Sequence, residues 1–283
     1  MKLVQKASAL RSQITGFRGA GARVALVPTM GALHEGHLSL VRKAAQEADR
    51  VIVSIFVNPA QFAPHEDFER YPRDLDADCA TLETSAADLV FAPAVEEIYP
   101  AGFASRVDIG GPGLGLESDF RPHFFSGVAT VVLKLLVLSL PDVAVFGEKD
   151  YQQLLVVRQL VRDLSLPVVI SGAPIVREFD GLALSSRNAY LSKADRGVAG
   201  RLNGILKVIV ERSGSEPVPL LESFGVRALL DAGFSAVDYV AIRDAETLAP
   251  LTRINRPARV LAAARIGNVR LIDNMAIASA MER

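Results

Sequence analysis

Two histidines stand three residues apart in the segment Pro28-Thr29-Met30-Gly31-Ala32-Leu33-His34-Glu35-Gly36-His37. An imidazole can donate to a phosphate oxygen and stabilise the charge that develops as diphosphate leaves. An apolar run, Val24-Ala25-Leu26-Val27, precedes the segment and reads as a strand; an amphipathic stretch, Leu38–Ala48, follows and reads as a helix. A helix N-terminus presents free N–H groups and the positive end of the helix dipole, both favourable to an anion. With a helix beginning near Glu35, both imidazoles lie on its first turn and address one ligand. The arrangement suits a nucleoside triphosphate opened at its α-phosphate. The structural alternative is a polar pair that only caps the helix.

Three more segments place polar groups beside apolar runs. Phe146-Gly147-Glu148-Lys149-Asp150-Tyr151-Gln152-Gln153 ends a strand pattern and opens a helical one. Lys149 offers a point charge to phosphate, and Asp150 suits a ribose, a helix cap or a metal. Asn58-Pro59-Ala60-Gln61-Phe62 follows another strand pattern, and the amides of Gln61 and Gln153 can bind hydroxyls or a carboxylate. Leu184-Ser185-Ser186-Arg187-Asn188 follows the turn signal Asp180-Gly181 and sets two hydroxyls beside a guanidinium, a phosphate clamp. The run Gly110-Gly111-Pro112-Gly113-Leu114-Gly115 lacks the G-x-G-x-x-G spacing and contains a proline, so it reads as a flexible loop. His65-Glu66-Asp67-Phe68-Glu69-Arg70 reads as solvated surface, and Cys79 as a small core residue.

The elements that must carry these groups alternate along the first 170 residues. Strand patterns at Val24–Val27, Val51–Val57, Asp88–Phe91, Val143–Phe146 and Val168–Ile170 interleave with helical ones at Leu38–Ala48, Asp74–Leu82, Gly127–Leu140 and Tyr151–Leu164. In the second of these helical stretches, Leu75, Cys79 and Leu82 share a face. The alternation predicts an α/β fold, a Rossmann-like doubly wound parallel sheet whose ligands bind at the C-terminal strand ends. Beyond about residue 177, helical stretches at Lys193–Arg212 and Pro219–Ala232 precede strand patterns at Val237–Ile242, Val260–Ala264 and Val269–Ile272. They predict a smaller C-terminal α+β domain, dividing the chain into residues 1–176 and 177–283.

Composition narrows the class further. With 283 residues, half of them hydrophobic, and a net charge of -1, the chain reads as a soluble globular protein rather than a nucleic-acid binder. A single cysteine forms no internal disulfide and fits a reducing compartment. Met1–Lys6 lacks a secretory apolar segment, and Val128–Leu140, interrupted by Lys134, is shorter than the ~20 residues that span a bilayer. A cytoplasmic protein without membrane or nucleic-acid partners is expected.

Taken together, Val24–His37, Val51–Phe62, Asp88–Pro100, Phe146–Gln153, Gly181–Tyr190 and Arg270–Asn274 resemble the pantoate–β-alanine ligase (pantothenate synthetase) family over nearly the whole chain. His34-Glu35-Gly36-His37 is also similar to the H-x-G-H signature of the wider nucleotidyltransferase superfamily. The resemblance implies that ATP and (R)-pantoate form pantoyl adenylate and diphosphate, after which β-alanine displaces AMP. It further implies magnesium, a homodimer and a C-terminal domain that partly lids the site. Met30, Gly31, Ala32, Leu33, His34, Glu35, Gly36 and His37 become the ATP loop, with His37 the proton donor. Gly147, Glu148, Lys149, Asp150, Val176, Leu184, Ser185, Ser186 and Arg187 complete the nucleotide site, and Gln61 and Gln153 contact pantoate. Pantoate's methyl groups need an apolar wall, for which Phe62, Val131 and Val132 are candidates. One departure stands out: the family reads Arg-Pro-x-His-Phe, whereas this chain reads Arg121-Pro122-His123-Phe124-Phe125. Two other classes use a similar loop: a nucleotidyltransferase that stops at nucleotide transfer, and a non-catalytic nucleotide-binding module.

Overall fold

Val24–Val27 and Val51–Val53 are each 1% exposed or less in the computed structural model, which describes residues 1–63 and 68–278. Such continuous apolar runs are what parallel strands covered on both faces require. The chain divides into two compact units: residues 1–148 with 156–174, and residues 149–155 with 175–283.

The first unit holds β1 (Lys2–Val4), α1 (Ala7–Gly19), β2 (Val24–Thr29), α2 (Glu35–Glu47), β3 (Arg50–Ile55), α3 (Leu75–Glu83), β4 (Leu89–Phe91) and α4 (Val95–Ile98). It continues with α5 (Glu117–Phe120), α6 (Phe124–Ser139), β5 (Val143–Gly147), the later part of α7 (Tyr151–Asp163) and β6 (Val169–Ala173). The six strands form one parallel sheet in the order β1-β4-β3-β2-β5-β6. Winding proceeds from β2 through β3 to β4, then resumes on the other side of β2 with β5 and β6. The reversal falls between β2 and β5, the switch point where doubly wound sheets open a crevice at their C-terminal strand edge. The expected fold class is therefore present.

Several local expectations need correction. The strand β1 escaped the sequence pattern because it is three residues long, with only Val4 buried. Helix α6 starts three residues earlier than Gly127, at Phe124. On α3 the buried position is Asp78, 4% exposed, beside Leu82; Cys79 is only half-buried and so is not a core residue. The Gly110–Gly115 run contains a short 3-10 turn, Gly111–Gly113, whose Pro112 and Gly113 are buried, so it is packed at its middle. Of the solvated segment read at His65–Arg70, residues 65–67 lie outside the described residues, and Glu69 and Arg70 are exposed.

The second unit holds the start of α7, then α8 (Lys193–Ala199), α9 (Arg201–Arg212), α10 (Val218–Asp231), β7 (Ala236–Asp244), β8 (Ala258–Ile266) and β9 (Val269–Ile277). Its three strands are antiparallel, with β8 central, and its core gathers Leu202, Leu206, Ile209, Leu221, Val260 and Leu271. The single helix expected over Lys193–Arg212 is two, meeting at Gly200. A Cβ at Gly200 would lie 2.5 Å from Asp180 Oδ2, so a larger residue there would have to displace that carboxylate. Among the described residues no helix is long and apolar enough to cross a membrane.

Candidate active site

The turn after β2 is built before any ligand is considered. Thr29 Oγ1 donates to Ser54 O at 2.8 Å and accepts from Gly31 N at 3.3 Å, tying the strand end to β3. Gly31 and Ala32 then adopt positive φ values of 84° and 51°. The buried Asp78 carboxylate accepts from Ala32 N at 3.0 Å and from Leu33 N at 2.7 Å.

His34 is the N-cap of α2, and the two imidazoles close the helix end between them. Gly36 N donates to His34 Nδ1 at 3.1 Å, and His34 N donates to His37 Nδ1 at 3.3 Å. Their ring centroids are 4.1 Å apart. The expectation that free N–H groups greet the phosphate is thus corrected: His34 N, Gly36 N and His37 N already donate within the turn. These capping bonds use only Nδ1 of each ring. With Nδ1 accepting, a neutral ring carries its proton on Nε2 and is a hydrogen-bond donor there. Glu35 pairs with Arg42 on the exposed side of α2. Gly147 ends β5, on the other side of the switch point, and Glu148 follows it in a 3-10 turn.

Gln61 sits in a short 3-10 turn, Pro59–Gln61, after β3. Asn58, 1% exposed, donates through Nδ2 to Gln61 Oε1 at 2.8 Å and to Gly127 O at 3.1 Å. Its Oδ1 accepts from Ala60 N at 3.2 Å and from the Tyr99 hydroxyl at 2.8 Å. Every polar atom of the Asn58 side chain is therefore used to shape the turn. Burial pushes the Tyr99 phenol up to about 12, so it stays a donor. Helix α6 lies directly on the turn: a Cβ at Gly127 would be 2.1 Å from Ala60 O. Arg121 Nη2 donates to Gln61 O at 3.1 Å, and its guanidinium lies 3.8 Å from the Phe124 ring centroid.

His123 is exposed at the start of α6 and lines a cavity of about 420 Å³ with Tyr99, Phe103, Arg106, Ser126 and Thr130. Phe62 packs edge-on against Phe68 and Tyr71, with centroids 5.3 and 5.9 Å away. Val131 and Val132 are each 4% exposed.

The remaining expected site residues belong to the second unit. Lys149 Nζ lies 3.8 Å from Asp150 Oδ2, and Lys149 O accepts from Asn274 Nδ2 at 2.9 Å. Gln153 is half-buried on the first turn of α7. Leu184 N donates to Val176 O at 3.0 Å, joining those two positions. Ser185 caps the 3-10 turn Ser186–Tyr190 by accepting from Arg187 N at 3.3 Å, so its hydroxyl shapes the loop. Arg177 holds Asp273 through both terminal nitrogens, at 2.7 and 2.9 Å, and Gly181 O at 2.9 Å. Asp273 and Asn274 on β9 thus anchor both Lys149 and the turn before Ser185.

Asp78, Asn58, Tyr99, Gly127 and Arg177 were not singled out from the sequence. Asp78 left a signal: Leu75, Asp78 and Leu82 fall at i, i+3 and i+7, and a carboxylate on a buried stripe must be paired. Tyr99 left none, since it meets Asn58 across 41 residues. Among the described residues no group of three or more His, Cys, Asp or Glu side chains gathers to hold a metal.

A parallel sheet with an H-x-G-H turn at its switch point defines an α/β protein of the nucleotide-binding type. Residues 2–276 match the family model described as pantoate-beta-alanine ligase, and the chain belongs to that family. It is 57% identical to the pantothenate synthetase of Mesorhizobium japonicum, covering 97% of each chain. A pantothenate synthetase from Paramagnetospirillum magneticum is 52% identical, again over 97% of each chain. Among solved structures, pantothenate synthetase from Thermus thermophilus superposes with a TM-score of 0.91 at 49% identity, covering 97% of this chain and 99% of that one. Pantoate-β-alanine ligase from Francisella tularensis, in complex with β,γ-ATP and β-alanine, gives a TM-score of 0.79 at 36% identity, over 97% of each chain.

Proposed function

We propose that this chain joins (R)-pantoate to β-alanine at the expense of ATP, through a pantoyl adenylate, releasing AMP and diphosphate. The observation that carries the reading is family membership over residues 2–276, and the imidazole pair at the switch point supports it. A pantoate carboxylate oxygen attacks the α-phosphorus and the bond to diphosphate breaks. The β-alanine amine then attacks the acyl carbon, and AMP leaves. Neither step needs a nucleophilic side chain, so orientation and charge stabilisation suffice.

His34 and His37 donate from Nε2 to the phosphate oxygens, with His37 on the leaving diphosphate. The main chain of Met30–Leu33 and Gly147–Glu148, with Lys149, Asp150, Val176 and Leu184–Arg187, is assigned to ATP. Gln61 and Gln153 are assigned to pantoate, and Phe62 with Val131 or Val132 to its methyl groups. The assignment of nucleotide and pantoate binding to residues 1–176, and of a lid to residues 177–283, rests on the sequence resemblance. Magnesium accompanying the triphosphate would supply charge neutralisation, and beside substrate phosphates it would need only one or two protein carboxylates. Asp150, which also suits a ribose or a helix cap, would be a carboxylate able to hold it. A cytoplasmic homodimer completes the proposal, its dimeric state checked by light scattering of the purified protein.

The test is a stepwise assay. ATP with pantoate alone yields diphosphate, and adding β-alanine yields AMP and pantothenate. No turnover with all three substrates overturns the reading.

A further inference from the structure

Gly31 and Ala32 are successive residues of positive φ, 84° and 51°, and in the turn they make the Ala32 and Leu33 N–H groups converge on one carboxylate. Converging main-chain N–H groups ordinarily cradle a phosphate or another anion. Here the concavity already contains one. Asp78 Oδ2 takes Ala32 N and Oδ1 takes Leu33 N, from a side chain 4% exposed. A Cβ at Gly31 would stand 2.7 Å from Asp78 Oδ2 and 3.2 Å from Ile55 Cγ2, so glycine is what lets the carboxylate close on the turn. Among the described residues no Lys or Arg forms an ion pair with Asp78, and burial pushes its carboxyl above the usual range against the pull of the two amides.

Resting on the assignment of ATP to this turn, we propose that Asp78 is a positioning residue for the nucleotide. Its carboxylate fills the anion cradle of residues 31–33, fixes that main chain before ATP arrives, and turns the phosphates toward the imidazoles. A buried carboxylate with two amide donors is satisfied only while the turn keeps this shape, and removing it strands both donors. The nucleotide then meets a preformed loop and loses less entropy on binding.

The test uses Asp78→Asn in the full chain. Asparagine keeps the shape but turns an NH2 group toward one of the two amides. Amide exchange at Ala32 and Leu33 is expected to speed up about tenfold while β2 keeps its protection. The KM for ATP is expected to rise about tenfold, with the KM for pantoate changing by less than about twofold. A role confined to overall stability would instead expose β2 equally and move both KM values together, and either result overturns the proposal. So does an Asp78→Asn protein with unchanged exchange at residues 32 and 33 and unchanged ATP KM. Where Asp78→Asn does not fold, Gly31→Ala, whose methyl displaces the same carboxylate, is put through the same measurements, and the same results overturn the proposal. Failure of the wild-type chain to form AMP from all three substrates counts against the functional reading alone, because the exchange measurement still judges Asp78.

Discussion

Each of the two imidazoles serves the helix through Nδ1, and single substitutions can separate that duty from the phosphate contact proposed for Nε2. In His37→Asn, the amide oxygen falls near the place of Nδ1 and continues to accept from His34 N, while the donor at Nε2 is lost. Helicity and melting temperature should hold, and kcat/KM should fall at least about a hundredfold, about 2.7 kcal/mol of transition-state stabilisation. A joint loss of melting temperature and activity would show that capping, not phosphate contact, is the role of His37. His123 behaves differently: it is exposed at the rim of the 420 Å³ cavity, and Phe124 in the next position lies against Arg121. His123→Ala is expected to cost less than tenfold in kcat/KM, under about 1.4 kcal/mol, by steady-state kinetics. The histidine spacing was legible in the sequence because it rests on adjacent residues. That His34 N and Gly36 N donate to the rings was not, because it depends on ring orientation.

Elements were readable where burial imposes a continuous pattern. Strands β2 and β3 and helix α6 carry apolar runs that no solvated element would keep, and each lies where the sequence placed it, within a few residues. The break between α8 and α9 was hidden, since Gly200 fits a helical pattern and its role comes from Asp180. The same kind of contact makes α6 the support of the turn that carries Gln61. Gly127→Ala would drive a methyl into Ala60 O, C and the Gln61 N, at 2.1, 2.5 and 3.0 Å. Backbone must shift to admit it, a cost of about 1–3 kcal/mol, seen as a lower denaturation midpoint. The KM for pantoate should rise by more than the KM for ATP, because Gln61 moves with the turn.

At the scale of the whole molecule, charge sets the acid limit of stability. In the second unit, the Arg196 guanidinium holds the Asp180 carboxyl below the usual range, with Nη1 to Oδ2 at 2.5 Å. Asp244 is pushed up by burial, but the Thr247 hydroxyl and the Thr247 and Glu246 amides outweigh this and hold it low. A carboxyl lowered by folding stabilises above its ordinary value, 3.8 for aspartate, and loses that contribution as pH falls below it. Melting temperature measured from pH 6 down to about pH 3 should therefore drop more steeply for wild type than for Asp180→Asn. Equal slopes would remove Asp180 from the account. None of this could be read from net charge, which is -1 whatever the pairing. The contact of Gly127 with Ala60 also bears on inhibitor design. A compound that took the proposed pantoate place by pushing the main chain of this turn aside would have to displace α6 with it, whereas one that accepted the turn as it stands would meet no such barrier.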